Sequence, residues 1–413
     1  MVEEWPFKRR DAANTASTAA RGPERDPELC WQYDAGSRIY GTPVVRDCVV
    51  YVGTQEVVPG TAAVHAVDAE TGERRWASAE DGFEIRGTPA VAGGRVYAAD
   101  FEWRRFTLSA ADGEVIDQDE LGHAPRDGID PLVHDGTLYT NRYQVTARDP
   151  ADWSVRWQTE DGCFVRMPAV VDGTAYCAGF REAEGRVYLG RTDFGVPKSL
   201  EAQQGFVRAV DRESGDRNWE ATVDGYPRTP AVADGTMYVG TEATYPPETN
   251  AGRETLDMPD TLDGIGPAFG PLDIPDGEPR DPEDVGAVHA IDATTGDERW
   301  SVRLSHPVRA APAVRDGVVC LSAGDSVVAY DAATGAHRWT SETGDTTVSS
   351  PAIADGVVYV GSRDEHLYAV DLYDGTELWR FETDHSVDSN PSVVDGTVYV
   401  GDNGGNVYAV EEA

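Results

Sequence analysis

One unit recurs along this chain and limits what it can fold into. It reads T-P-A-V-x-D-G-x-V-Y-V-G, followed by L-Y-A-V-D-A-x-T-G-x-x-x-W. The first half returns eight times, with its proline at Pro43, Pro89, Pro131, Pro168, Pro230, Pro312, Pro351 and Pro391. A tight turn follows: Asp-Gly in six copies (Asp135-Gly136 is the first), Asp47-Cys48 and Gly93-Gly94 in the other two. Asp-Gly between alternating apolar runs predicts a hairpin, because a type I′ turn needs positive φ at both central residues. In the second half a Trp follows a Gly by four residues: Trp76, Trp219, Trp300, Trp339 and Trp379. Each unit therefore predicts four short strands: the proline on the inner one, V-Y-V-G on the second, Y-A-V-D on the third and the Trp on the outer.

Eight four-stranded units predict an all-β, eight-bladed β-propeller, an architecture that removes long exposed sheet edges. The chain ends support a ring. The last unit stops after its third strand at Val407-Tyr408-Ala409-Val410, and Leu29-Cys30-Trp31-Gln32-Tyr33 stands before the first inner strand as an orphan outer strand. Pairing the two completes one blade. The expected organisation is an N-terminal extension over 1–27 and a single propeller over 28–413. The structural blade clamps are Trp31, Trp76, Trp157, Trp219, Trp300, Trp339 and Trp379. Two copies are degenerate: Asp117 stands where blade 2 needs its Trp, and blade 3 has Asp149-Pro150-Ala151-Asp152 and no Thr-Gly. These blades are expected to be the least tightly clamped.

The A-x-D-x-x-T-G-x-x-x-W element resembles the pyrroloquinoline-quinone (PQQ) repeat of quinoprotein alcohol dehydrogenases and of the BamB outer-membrane assembly lipoproteins. The opening Trp5-Pro6-Phe7-Lys8-Arg9-Arg10-Asp11-Ala12-Ala13-Asn14-Thr15 is similar to the prologue of such chains. The resemblance runs from about residue 5 to 411. It implies the propeller and leaves function open, because the superfamily holds both enzymes and scaffolds.

Two insertions separate second from third strands, at 181–204 in blade 4 and 242–284 in blade 5, and both leave from one face. Loops of this length are usually functional or disordered, and insertions confined to one face of a repeat protein often mark its binding face. Near the inner-strand prolines on that face lie Arg86, Arg166, Arg228 and Arg309, with Tyr40, Asp130 and Asp388 in comparable places. Guanidinium groups bind carboxylate and phosphate bidentately. Two readings stand: a channel-mouth anion site built from Arg86, Arg166, Arg228, Arg309 and Tyr40, or arginines that pair with Glu84, Asp127 and Asp388 to brace the channel.

No G-x-S-x-G, H-E-x-x-H, phosphate loop or EF-hand spacing occurs, and no catalytic residue is assigned. His65 and His289 fall at equivalent third-strand positions and read as packing residues. His123, His306 and His385 fall in interblade connections. The five cysteines (Cys30, Cys48, Cys163, Cys177, Cys320) show no C-x-x-C, which argues against a disulfide framework or zinc site. Cys48, Cys177 and Cys320 are expected within apolar strands. Under the dehydrogenase resemblance a vicinal cysteine pair would cover the quinone, and none occurs here.

The charge is strongly one-sided: 35 Lys+Arg against 73 Asp+Glu, a formal net charge of −38. Such a surface repels polyanions, so nucleic acid and acidic membrane partners are not expected. No apolar stretch reaches the roughly 20 residues of a membrane span. Only two lysines occur, Lys8 and Lys198, and the sparse-Lys, acid-rich composition suggests a host with a salty interior. The N-terminus lacks an apolar signal-peptide core, so the sequence as written reads as cytoplasmic; a misassigned start would permit export. The leading expectation is a monomeric, non-catalytic binding or scaffold propeller for a protein partner or small anion, without a cofactor or metal. The alternative is a PQQ- and Ca²⁺-dependent alcohol or sugar dehydrogenase.

Overall fold

The computed structural model describes residues 4–55, 64–78, 85–99, 104–120, 130–141, 144–159, 164–181, 188–191, 197–199, 204–242 and 286–413. Among them there is no helix, and eight antiparallel four-stranded blades form a ring. Blade 1 is typical: Val44–Arg46 on the inside, then Val49–Gly53, Val64–Asp68 and Arg74–Ser78. The inner strands of successive blades adjoin around the axis, and that of blade 8 (Ser392–Val394) returns to that of blade 1.

The hairpin chemistry explains the local geometry. Asp135 and Gly136 hold φ of +45° and +69°, the combination a type I′ turn needs. In blade 1 the same turn uses Asp47 and Cys48, at +51° and +57°. Cys48 is therefore exposed at the turn and is not a strand residue, while Cys177 and Cys320 are buried in second strands. Cys30, Cys48, Cys177 and Cys320 are all free thiols; Cys163 lies outside the described residues.

The ring closes as the chain ends require. Pro27–Asp34 pairs antiparallel with Asn406–Glu412 and completes blade 8. Residues 5–18 run inside the ring. The Trp5 and Val45 backbones exchange hydrogen bonds at 2.8 Å. Val91, Val170, Val232, Val314 and Ile353 then donate from five further inner strands to the carbonyls of Pro6, Ala12, Ala13, Thr15 and Ala16. Ser17–Thr18 lies parallel to the inner strand of blade 7. An inner strand otherwise presents unpaired backbone to the channel, and the N-terminal segment satisfies it. Arg9, 1% exposed, donates to the Pro312 and Pro351 carbonyls at 2.6 and 3.1 Å, and Asn14 donates to those of Pro168 and Pro230 at 3.1 and 3.0 Å. Burial pulls the Arg9 pKa down to about 9, against the nearby Asp11 carboxylate.

Each clamp works the same way. The outer-strand indole N–H donates to a turn carbonyl of the next blade: Trp31 to Ala69, Trp76 to Ala110, Trp157 to Arg212, Trp219 to Ala293, Trp300 to Ala332 and Trp339 to Leu372, all within 3.0 Å. Trp379 reaches the Pro23 carbonyl, so the N-terminal segment serves as the turn that blade 8 lacks. The turn glycine lies flat on the ring; a Cβ at Gly72 would come within 2.7 Å of Trp31.

Blades 2 and 3 differ from the expectation of a missing clamp. Trp153 occupies the column where other turns carry glycine, four residues before Trp157, and holds φ of +60°. It is 3% exposed and donates back to Thr107 Oγ1 at 2.8 Å. Asp117, in the vacant Trp column of blade 2, pairs with Arg105, whose guanidinium lies 5.0 Å from the Trp153 ring centroid.

Candidate functional site at the channel mouth

The second strand of blade 4 ends at Arg181 and its third begins at Gln204; in blade 5 the corresponding ends are Glu242 and Gly286. Both insertions thus join second to third strands on the face opposite the Asp-Gly turns. A short hairpin, Tyr188–Arg191 with Pro197–Ser199, belongs to the first; residues 243–285 lie outside the described residues.

The predicted arginines occupy two places. Arg166, Arg228 and Arg309 gather over blades 4 to 6. Glu242, at the root of the second insertion, bridges two of them: it accepts from Arg228 and, at 3.0–3.1 Å, from Arg309. Arg228 also donates to the Val308 carbonyl at 3.2 Å. Burial, then the Arg166 charge, pull its pKa down to about 10, with Glu242 opposing them and Arg309 adding to them. Arg166 makes one long bond, 3.4 Å, to the Pro227 carbonyl. Three guanidinium groups therefore gather where one described carboxylate is paired with them. Glu242 is the partner that sequence reading missed; its signal was its position at the insertion boundary. Arg86 sits apart, 5.1 Å from the Tyr40 ring centroid, and Arg38 donates to the Tyr40 hydroxyl at 3.3 Å.

The acids named for the bracing reading are not seen on these four arginines among the described residues. Asp388 pairs with Arg363, at 2.9 and 3.0 Å, and Asp130 with Lys8 at 2.8 Å. Glu84 and Asp127 lie outside the described residues, as does His123. His306 packs against Gly324 in blade 6 and His385 against Gly404 in blade 8, so those two do not converge. His65 and His289 are each 5% exposed; burial and the Arg74 charge lower the His65 pKa to about 4, so it is neutral near pH 7.

Below the arginines, the residues preceding the inner-strand prolines form a relay. The Thr42 N–H donates to Thr88 Oγ1 (3.0 Å) and that of Thr88 to Asp130 Oδ1 (2.9 Å). The Ala311 N–H donates to Ser350 Oγ (3.0 Å), that of Ser350 to Asn390 Oδ1 (2.6 Å), and Asn390 Nδ2 to Thr42 Oγ1 (2.9 Å). Met167 in blade 4 and Ala311 in blade 6 have no side-chain acceptor to offer. Among the described residues, no such bond spans blades 3 to 6, the sector under the arginine cluster.

A calcium ion would need several free oxygen ligands. The described mouth carboxylates are already committed to arginine or lysine, and among the described residues no group of three His, Cys, Asp or Glu side chains could hold a metal. These residues do not fit the calcium of the dehydrogenase alternative.

Comparison with known proteins gives the lineage. The chain superimposes on a europium-containing methanol dehydrogenase with a TM-score of 0.68 at 12% identity, covering 99% of this chain and 98% of that one. For BamB from Moraxella catarrhalis the TM-score is 0.61 at 16% identity, with 93% and 97% covered. For the computationally designed Ika8 protein it is 0.64 at 13%, with 92% and 98% covered. At these identities the likeness is one of fold. No curated protein matches in sequence. The family model described as outer membrane protein assembly factor BamB matches residues 24–189 and 284–413, more than half of the chain. With its eight PQQ-type blades and tryptophan clamps, this chain belongs to that family.

Proposed function

We propose that this chain is a non-catalytic binding propeller whose channel mouth takes a carboxylate or phosphate group, presented by a small anion or by a protein partner. The observation that carries this reading is the imbalance at blades 4 to 6: Arg166, Arg228 and Arg309 gather there, and among the described residues Glu242 is the one carboxylate paired with them. The Arg166 and Arg309 charges both act against the Arg228 charge, and a bound anion relieves that repulsion. Both insertions root beside this cluster, at Arg181 and Glu242.

The test is calorimetric titration with phosphate and with succinate at high salt, on the native chain and on Arg166→Ala. Arg166 is the informative position because its one side-chain bond among the described residues is long, so its removal perturbs the fold least. A tenfold or greater loss of affinity is expected. Unchanged affinity would remove the mouth from consideration.

A further inference from the structure

A cavity of about 650 Å³ lies on the opposite face, between blades 4 and 5. It is lined by Val171, Thr174, Tyr176 and Trp219 of blade 4 and by Ala293 of blade 5, with Asp172 and Asp234 from the two Asp-Gly turns. At three other interfaces the chain places an arginine across the corresponding groove. Between blades 1 and 2, Arg46, in the column of Val171, donates to the Val91 carbonyl at 3.0 Å. Between blades 2 and 3, Arg95, in the column of Thr174, donates to the Pro150 and Ala151 carbonyls at 3.2 and 3.1 Å. Between blades 3 and 4, Arg212, in the column of Ala293, reaches Asp135 at 2.8 Å. All three columns carry small or uncharged side chains in the groove between blades 4 and 5.

One further substitution and one missing bond leave the same deficit. In four blades the residue before the clamp Trp is an arginine that pairs with the third-strand aspartate: Arg75 with Asp68, Arg156 with Asp149, Arg299 with Asp292 and Arg338 with Asp331. Blade 4 has Asn218 there, on the cavity wall. The second-strand tyrosines Tyr97, Tyr238 and Tyr359 donate to the turn carbonyl of the next blade at 2.9–3.1 Å. Tyr176, 8% exposed, makes no such bond to Ala293 among the described residues.

We infer that this groove is a guanidinium site, occupied by an arginine side chain of a partner protein. In three of the homologous grooves an arginine of the chain bonds across the interface, so the acceptors there suit a planar guanidinium. The Trp219 ring offers it a face, and Asp172 and Asp234 offer charge-assisted acceptors at the rim. A basic segment also complements the net charge of the whole chain. The site is separate from the mouth, on the other face of the ring.

The test follows the Trp219 indole N–H resonance, assigned by Trp219→Phe, at fixed ionic strength. The probes are acetyl-Gly-Arg-Gly-amide, acetyl-Gly-Lys-Gly-amide and ethylguanidinium. The Arg peptide is expected to shift the resonance saturably and to bind at least tenfold more tightly than the Lys peptide. Thr174→Arg, which supplies the arginine from within as Arg95 does, is expected to abolish binding and to raise the melting midpoint. Val171→Arg, which copies the placement of Arg46, repeats the test should Thr174→Arg fail to fold. Equal binding of the two peptides, or full affinity in a folded arginine variant, would overturn the site. Ethylguanidinium binding as tightly as the Arg peptide would assign the groove to a small guanidinium compound and overturn the protein partner. Arg166→Ala is expected to leave all of these results unchanged.

Discussion

The indole nitrogen of Trp153 donates to Thr107 Oγ1 at 2.8 Å, from a turn of blade 3 back into the third strand of blade 2. At six other interfaces the indole comes from the earlier blade and rests on a glycine of the later one. Here the two residues have exchanged places: blade 2 lost its Trp at Asp117, and blade 3 gained one at the glycine column. The space that a Trp at position 117 would fill is what allows a side chain at position 153. Positive φ at Trp153 is the strain this exchange carries.

Trp153→Gly is therefore expected to relieve backbone strain and still destabilise the ring, by about 3 kcal/mol, because the interface is left with no indole. Trp153→Gly combined with Asp117→Trp rebuilds the common arrangement and should recover most of that loss. A double-mutant cycle by urea denaturation measures it. Additive losses would show that the two columns do not share one cavity.

Most of the fold was legible because the repeat writes each hairpin locally: Asp-Gly turns, strand alternation and the Trp column each predict a neighbour a few residues away. Closure was legible from the unmatched strands at the two chain ends. The Trp153 exchange was obscured because it emerges only when the columns of two different blades are read against each other. The path of Trp5–Thr18 inside the ring was hidden for another reason: its partners are backbone groups of inner strands hundreds of residues away, such as the Pro351 carbonyl that binds Arg9. At the mouth, sequence supplied the arginines. It did not supply Glu242, because spacing along the chain says nothing about which acid faces Arg228 and Arg309.

Alkaline pH should test the tyrosine layer. Burial pushes Tyr139 and Tyr399 up to about 12, from an ordinary value of 10. A folded-state pKa above the unfolded one favours the folded state below pH 10, and that advantage is lost as pH rises from about 10 toward 12. Urea midpoints are expected to hold to about pH 9 and to fall above about pH 10, with tyrosinate absorbance rising together with unfolding. Tyr399→Phe should flatten that fall. A full tyrosinate signal from the folded ring would contradict the burial.

Salt should matter more than for an ordinary propeller. The Debye length is about 10 Å at 0.1 M and about 3 Å at 1 M, so self-repulsion of a −38 chain is mostly screened at the higher value. The melting midpoint is expected to rise by several degrees between about 0.1 and 2 M KCl. A flat response would mean that the charge is already compensated within the fold.

Glu242 gives the sharpest test of the mouth. It is the carboxylate that Arg228 and Arg309 share, and it competes with any incoming anion for both. Glu242→Gln keeps the shape and removes the charge. Two guanidinium groups are then left with an amide oxygen, and Arg228, already depressed by burial and by Arg166, loses the charge that raises its pKa. Affinity for phosphate should rise about tenfold, a gain of about 1.4 kcal/mol for replacing an internal anion by an external one. Without phosphate the variant should melt at a lower temperature, and added phosphate should restore the midpoint. A variant that melts lower and binds no more phosphate than the parent would mean that the three arginines brace the channel and take no ligand.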